Sequence, residues 1–103
     1  MFNFFKESPS ISTTELAKAL TKNTALIDVR TPVEFRSGHI PGARNIPLAN
    51  MPTFTGNQKQ PIYLICQSGM RSKKAARFLE KQGYHAINVR GGMHQWAGTI
   101  KRG

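Results

Sequence analysis

Short apolar runs alternate with helical segments along this chain, and few folds accommodate that order. The runs are residues 25–29 (ALIDV), 62–66 (IYLIC) and 86–89 (AINV). Because they are almost unbroken, they predict strands that are covered on both faces, as in a parallel sheet between helices. The chain is therefore predicted to be an α/β domain, with a mainly parallel central sheet flanked by helices on both faces.

The segments between the runs carry signals that start helices. Residues 12–15 (STTE) and 31–34 (TPVE) fit the capping box, in which a hydroxyl and a carboxylate satisfy free backbone N–H groups. The first box predicts a helix to about Leu20, and the second predicts a short helix through Arg36. Residues 71–82 predict a longer amphipathic helix whose basic side chains face outward.

Less regular segments complete the pattern. Glycine and proline keep residues 37–43 in a loop, a short strand is predicted at 45–48, and the polar residues 53–60 form a connection. After the last apolar run, two glycines at 91–92 lead into a short helix that is predicted to carry Trp96.

The 103 residues suffice for a single domain, residues 1–103, of which residues 1–10 are expected to form an N-terminal extension. Hydrophobic residues make up 39% of the chain and charged residues 19%, a mixture typical of a globular domain. The N-terminus lacks the features of a signal peptide, and no apolar run approaches the length of a membrane helix. We therefore expect a cytoplasmic protein with no membrane partner.

Basic residues outnumber acidic ones by 15 to 5, which gives a formal charge of +10 and a field that attracts anions. Basic residues that cluster on one helix, as in residues 71–82, usually form a solvent-exposed face. No nucleic-acid-binding motif accompanies them in this sequence. Nucleic acid is therefore not an expected partner. A small anionic substrate or an acidic protein surface suits the charge better.

The single cysteine, Cys66, excludes an internal disulfide and lies where open α/β sheets bind ligands. It ends the central apolar run, and four residues separate it from Arg71 at the start of a helix. Loop N–H groups and the positive end of that helix favour the thiolate, which is the nucleophilic form of cysteine. A buried structural cysteine is the alternative, and the strand, loop and helix context favours the reactive one.

Five short motifs are spread over nearly the whole chain. They are LIDVR at 26–30, EF at 34–35, GHIPGARNIP at 38–47, the loop that follows Cys66, and GG at 91–92 with Trp96. In this combination they resemble the successive signatures of a single-domain rhodanese. The resemblance implies the rhodanese fold and a sulfurtransferase, whose cysteine takes a sulfane sulfur from thiosulfate or a persulfide donor, holds it as a persulfide and passes it to a thiophilic acceptor.

The resemblance also implies roles for the residues of the loop. Cys66 corresponds to the catalytic nucleophile. The residues that correspond to the substrate-binding loop are Gln67, Ser68, Gly69, Met70, Arg71 and Ser72. Ser72 would in addition cap the next helix. A small anionic sulfur donor and a sulfur-carrier or thioredoxin-like protein acceptor are the implied partners, and no metal or cofactor is expected.

Two alternative activities remain open. Related folds with one more residue between the cysteine and the arginine resemble phosphatases, and the shorter loop here leaves a ring too small for a phosphoryl group. The other alternative is a non-catalytic binding or sulfur-sensing module with the same fold. The presence of Cys66, Gly69 and Arg71 together favours the enzyme.

Other candidate residues have simpler interpretations. Arg71 either binds the anionic donor, which its position beside the thiolate favours, or only anchors the loop. Asp28 and Arg30, at the end of a predicted strand, are expected to form ion pairs that fasten loops. The three histidines are scattered, so structural or solvated roles are expected and no metal site is predicted.

Overall fold

The computed structural model describes residues 9–103, so most of the predicted N-terminal extension lies outside the described residues. The strands are β1 (Ser10–Ile11), β2 (Ala25–Asp28), β3 (Arg44–Asn45), β4 (Pro61–Ile65) and β5 (His85–Val89). The α-helices are α1 (Thr13–Ala19), α2 (Pro32–Ser37), α3 (Met70–Lys81) and α4 (Gly92–Gln95), and a 3-10 helix covers Leu48–Thr53.

The five strands form one sheet in the order β1-β5-β4-β2-β3, and every neighbouring pair is parallel. In this register Asp28 pairs with Ile65 and Leu64 pairs with Asn88. The carboxyl ends of β2, β4 and β5 therefore meet at one edge of the sheet, where Cys66 follows the central strand. The predicted parallel α/β architecture is confirmed.

Helices cover both faces of the sheet, as predicted. On one face, β4 packs Leu64 against buried residues of α3 such as Leu79 and against Met51 of the 3-10 helix. On the other face, Ile65 of the same strand belongs to the cluster that contains Leu16 of α1. Side chains alternate between these two layers because successive residues of a strand point to opposite faces.

Local signals place the two helices that begin at capping boxes. Ser12 and Glu15 exchange their hydrogen bonds at the start of α1, and Thr31 and Glu34 do so at the start of α2. Pro32 occupies the first turn of α2, where a missing N–H costs nothing. Both helices therefore begin at the predicted residues.

Three short elements differ from the predictions. The strand predicted at 45–48 is limited to Arg44–Asn45, and a 3-10 helix follows it because Met51 is buried against the main core. Ser10–Ile11 forms an unpredicted edge strand, since its backbone pairs with β5. Trp96 follows α4 instead of lying within it.

Between residues 9 and 103, no helix combines the length and the apolar character that a membrane crossing requires.

Candidate functional site

Hydrogen-bond donors surround the sulfur of Cys66. The backbone N–H of Gly69 lies 3.0 Å from Sγ, and the backbone N–H and the hydroxyl of Ser72 each lie 3.3 Å from it. The side chains of Cys66 and Ser72 are both fully buried. These donors partly replace the water that a thiolate would lose at this depth, so the site can hold negative charge on sulfur.

Opposing effects set the pKa of the Cys66 thiol. Burial raises this pKa, because it removes water from the thiolate. Hydrogen bonds from the side chain and backbone of Ser72, and from the backbone of Gly69 and Ser68, lower it. Together the hydrogen bonds outweigh burial, so the pKa lies below the ordinary value for a cysteine.

The orientation of the loop is fixed by α4, which begins just behind it. The backbone N–H groups of Met93 and His94 donate to the carbonyl oxygens of Cys66 and Gln67, at 2.8 and 2.9 Å. Because a trans peptide points its N–H opposite to its carbonyl, this contact directs the N–H of Ser68 away from α4, toward the sulfur. The start of α4 thus positions one of the donors of the site.

Gly92 allows this close contact between α4 and the loop. Its φ is +56°, and a Cβ at this position would overlap the carbonyl oxygen of Cys66 and lie 2.8 Å from atoms of Gln67. Only glycine fits here without displacing the loop backbone.

Arg71 forms a two-pronged ion pair with Glu34 of α2, with N–O distances of 2.7 and 2.9 Å. Glu34 also accepts from the backbone N–H of Thr31, so the same carboxylate caps α2 and holds the loop. The hydrogen bond from Arg71 is the main reason that the pKa of Glu34 falls to about 2. Of the two roles considered for Arg71, loop anchoring is the one that a contact supports.

A second arginine fastens the other side of the loop. Arg30 is buried and paired with Asp28 at 2.8 Å. Its remaining donors reach the side-chain oxygen of Gln67 at 3.4 Å and the carbonyl oxygen of Gly38 at 2.8 Å. The prediction that Asp28 and Arg30 form an ion pair that fastens loops is confirmed.

The family profile described as "Rhodanese-like domain" matches residues 12–99. The chain belongs to the rhodanese-like family. It is 45% identical over 92 residues to the protein YqhL of Bacillus subtilis (strain 168), which covers 86% of this chain and 73% of that protein. It is 36% identical over 99 residues to the putative sulfurtransferase YtwF of the same organism, which covers 92% of this chain and 96% of that protein.

The fold comparison agrees with this assignment. A crystal structure of a rhodanese-like domain protein from Staphylococcus aureus superimposes with a TM-score of 0.84 and 37% sequence identity, covering 92% of this chain and 98% of that one. Together, the family match and the sulfurtransferase name of a relative of nearly the same length support a sulfur-transfer role for this chain.

The predicted loop residues occupy different positions around the sulfur. Ser68 and Met70 are exposed on the outside of the loop, and Gly69 has the left-handed φ of +101° at the start of α3. The prediction that Ser72 caps α3 is wrong, because Gly69 occupies the N-cap position and Ser72 lies within the first turn of the helix. There its hydroxyl faces Cys66 and Asn88 instead of a free N–H of the helix.

Two residues of this site were not predicted. Glu34 was interpreted as a helix cap and as part of the EF motif, without a contact to the loop, and its contact with Arg71 joins residues 37 positions apart. Asn88 was included in an apolar strand, although a buried polar side chain in such a strand signals a specific partner. Its partner is Ser72, at 2.6 Å.

The histidines lie outside this arrangement, as expected. His39 is buried, stacks on Phe35 with ring centres 3.6 Å apart, and bonds through Nδ1 to the carbonyl oxygen of that residue at 2.8 Å. His85 and His94 have exposed side chains. The prediction of structural and solvated roles is confirmed.

We expect alkylation of Cys66 by iodoacetamide to titrate with a pKa below the reference value of about 8.5. The physical reason is the set of hydrogen bonds to the sulfur, which outweighs burial. The measurement is the rate of modification as a function of pH, followed by mass spectrometry. A midpoint at or above the reference value would identify Cys66 as a structural cysteine.

Glu34→Gln is expected to lower stability in a pH-dependent way. The folded pKa of about 2 lies below the unfolded value of about 4.3, so the contribution of the ion pair is complete above about pH 4.3. It is lost as the pH falls through about 2. The melting temperature of the variant should therefore be lower than that of the parent at neutral pH, and the two melting temperatures should converge near pH 2. A constant separation would show that the charge of Glu34 is not the cause.

Arg71→Ala should be measured together with Glu34→Gln, because each variant removes one member of the same ion pair. If Arg71 anchors the loop, both variants should lower the melting temperature, and Arg71→Ala should also raise the pKa of Cys66, since the N–H groups lose their alignment. If Arg71 binds the donor, Arg71→Ala and Arg71→Lys should raise KM for thiosulfate, whereas Glu34→Gln should not. Thiosulfate kinetics that stay unchanged in all three variants would leave the backbone N–H groups as the anion site.

Proposed function

We propose that this protein is a sulfurtransferase in which Cys66 carries the transferred sulfur as a persulfide. The observation that supports this proposal most strongly is the set of donors around Sγ, which stabilises a thiolate at the end of the central strand. Membership of the rhodanese-like family agrees with it. In this proposal, Gln67 to Ser72 form the substrate-binding loop.

Thiosulfate is the proposed small donor. The Cys66 thiolate attacks the sulfane sulfur of thiosulfate, a sulfur–sulfur bond forms, and the bond within thiosulfate breaks. Sulfite leaves with the electron pair of that bond. The N–H groups of the loop hold the negative charge of the resulting persulfide, and the positive field of the protein attracts the dianionic donor.

The acceptor completes the cycle. An acceptor thiolate attacks the outer sulfur of the persulfide, and Cys66 leaves as a thiolate, so the enzyme is restored without any other reactant. Because Cys66 is buried beneath its loop, the acceptor has to present a thiol that reaches into the ring. A small thiol or a thiol on a flexible protein segment meets this requirement.

The surface beside the loop suits a protein acceptor. Val33 and Met70 are two of the large hydrophobic residues that are exposed, and each precedes one member of the Glu34–Arg71 ion pair. The exposed cations Lys73, Lys74 and Arg77 follow on α3. An apolar contact bordered by positive charge fits an acidic sulfur-carrier or thioredoxin-like protein.

Mass spectrometry of the intact protein tests this proposal. After incubation with thiosulfate, the protein should gain the mass of one sulfur atom, and addition of a thiol should remove it. Sulfite should appear in the same amount as the persulfide. The mass should not change in the Cys66→Ser variant. A parent protein that gains no sulfur from either thiosulfate or a small persulfide would instead be a non-catalytic module of this fold.

A further inference from the structure

Ser72 links the sulfur of Cys66 to a buried amide. Ser72 is 0% exposed, and Asn88, in β5, is 6% exposed. The Ser72 hydroxyl oxygen lies 3.3 Å from Sγ of Cys66 and 2.6 Å from Oδ1 of Asn88. The hydroxyl therefore bridges the sulfur and the amide.

The hydroxyl carries one proton, so it donates to only one of these neighbours at a time. A separation of 2.6 Å is typical of a short O–H···O bond and is shorter than most N–H···O bonds. The distance therefore favours Ser72 as the donor and Oδ1 of Asn88 as the acceptor. In this arrangement the hydroxyl proton points toward Asn88 and not toward the sulfur.

We propose that Asn88 is a positioning residue that competes with the Cys66 sulfur for the hydroxyl proton of Ser72. While Cys66 is a thiol, Asn88 holds this proton. When Cys66 becomes a thiolate, the hydroxyl turns to the sulfur only by giving up its bond to Asn88. The backbone N–H groups of Gly69 and Ser72 also donate to the sulfur, and unlike a hydroxyl a backbone N–H cannot rotate toward another acceptor.

This competition has a consequence for the reactivity of the thiolate. Each further hydrogen bond to a thiolate lowers its pKa and also lowers its nucleophilicity. By competing for the hydroxyl proton, Asn88 weakens the donation from Ser72 that lowers the pKa of Cys66, and it keeps the thiolate more nucleophilic than a full set of uncontested donors would leave it. This consequence rests on the proposed function, whereas the competition itself is a property of the free thiol.

Charged groups around the loop also act on Cys66 and stay constant in the test. Within the described part of the chain, those with side-chain contacts to the loop or to its anchors are Arg71 of α3, Glu34 of α2, and Asp28 and Arg30 at the end of β2. His94 of α4 contacts the loop through its backbone N–H, and its side chain is exposed. A substitution of Asn88 by a neutral residue changes none of these charges.

The test is the pH profile of iodoacetamide alkylation in the full-length Asn88→Ala variant. Without the amide, the hydroxyl is free to donate to the thiolate, and we expect the pKa of Cys66 to fall by about one unit. Below the pKa, alkylation should be about threefold faster than in the parent, and on the alkaline plateau about threefold slower. The two profiles should therefore cross. A general loosening of the site would raise the rate at every pH and would overturn the proposal.

Ser72→Ala provides the control, because it removes the hydroxyl proton for which Cys66 and Asn88 compete. Ser72→Ala and the Ser72→Ala, Asn88→Ala double variant should have identical profiles. The proposal is wrong if Asn88→Ala shifts the pKa equally in both backgrounds, leaves it unchanged, or raises it.

If Asn88→Ala does not fold, Asn88→Asp is the substitute variant. Aspartate keeps the shape of the asparagine side chain, and its carboxylate only accepts hydrogen bonds. Its charge raises the pKa of Cys66 in any background, so the informative quantity is the extra rise when Ser72 is present. An equal rise in both backgrounds would overturn the proposal. All of these measurements use the thiol alone, so a failure of sulfur transfer from thiosulfate would count against the proposed function and not against the role of Asn88.

Discussion

Cys66→Ser is expected to abolish sulfur transfer and to leave the fold intact. A serine hydroxyl accepts the same loop hydrogen bonds as the sulfur, but it cannot form a persulfide. The release of sulfite from thiosulfate should fall by at least about 10³-fold, to the rate without protein. Because the two side chains are nearly equal in volume, the cost in stability should be about 1 kcal/mol.

Two measurements on the serine variant separate chemistry from folding. Circular dichroism should give the spectrum of the parent, and the melting temperature should fall by about 4–8 °C for each kcal/mol lost. A serine variant that transfers sulfur at the rate of the parent would refute the persulfide mechanism. An unfolded variant would call for the same assay on parent protein whose thiol has been alkylated.

Gly92→Ala is expected to have the largest effect of any glycine-to-alanine substitution in the described part of the chain. The new Cβ would overlap the carbonyl oxygen of Cys66, and this neighbour is backbone, which cannot turn aside as a flexible side chain does. The loop and α4 would separate, and the carbonyl groups of Cys66 and Gln67 would lose their donors. We expect the free energy of unfolding to fall by about 3 kcal/mol or more, and we expect sulfur transfer to be lost.

Gly42→Ala is the matched control for this experiment. Gly42 also has a positive φ, of +88°, but a Cβ there meets nothing within 4 Å. The Gly42→Ala variant should therefore lose only about 1–2 kcal/mol of stability, which is the cost of placing alanine in a left-handed backbone conformation. Its activity and the pKa of Cys66 should match those of the parent. If the two variants have equal melting temperatures and equal activity, the contact between α4 and the loop does not position the site.

Local sequence signals determined most of the secondary structure. Capping boxes predicted where α1 and α2 begin, because the hydroxyl and the carboxylate lie three residues apart and act on the same turn. Apolar runs predicted β2, β4 and β5, because a strand between two helical layers is apolar on both faces. The position of Cys66 at a strand end followed from the same pattern.

Elements that depend on distant partners were not predictable in this way. The 3-10 helix at Leu48–Thr53 has no strong local signal and forms where Met51 is buried against the main core. The edge strand Ser10–Ile11 is only two residues long, and its backbone bonds go to β5. Such elements are fixed by the surface on which they pack.

Local patterns in the sequence predict a thiol after the central strand of a parallel sheet, with a tight loop and a helix start beside it. The groups that surround this thiol come from residues that are distant in the sequence, and only the folded chain brings them together. Glu34 meets Arg71 across 37 positions, and Asn88 meets Ser72 across 16. Hydrogen bonds act over about 3 Å, so their partners are selected by strand order and register, which a local pattern does not encode.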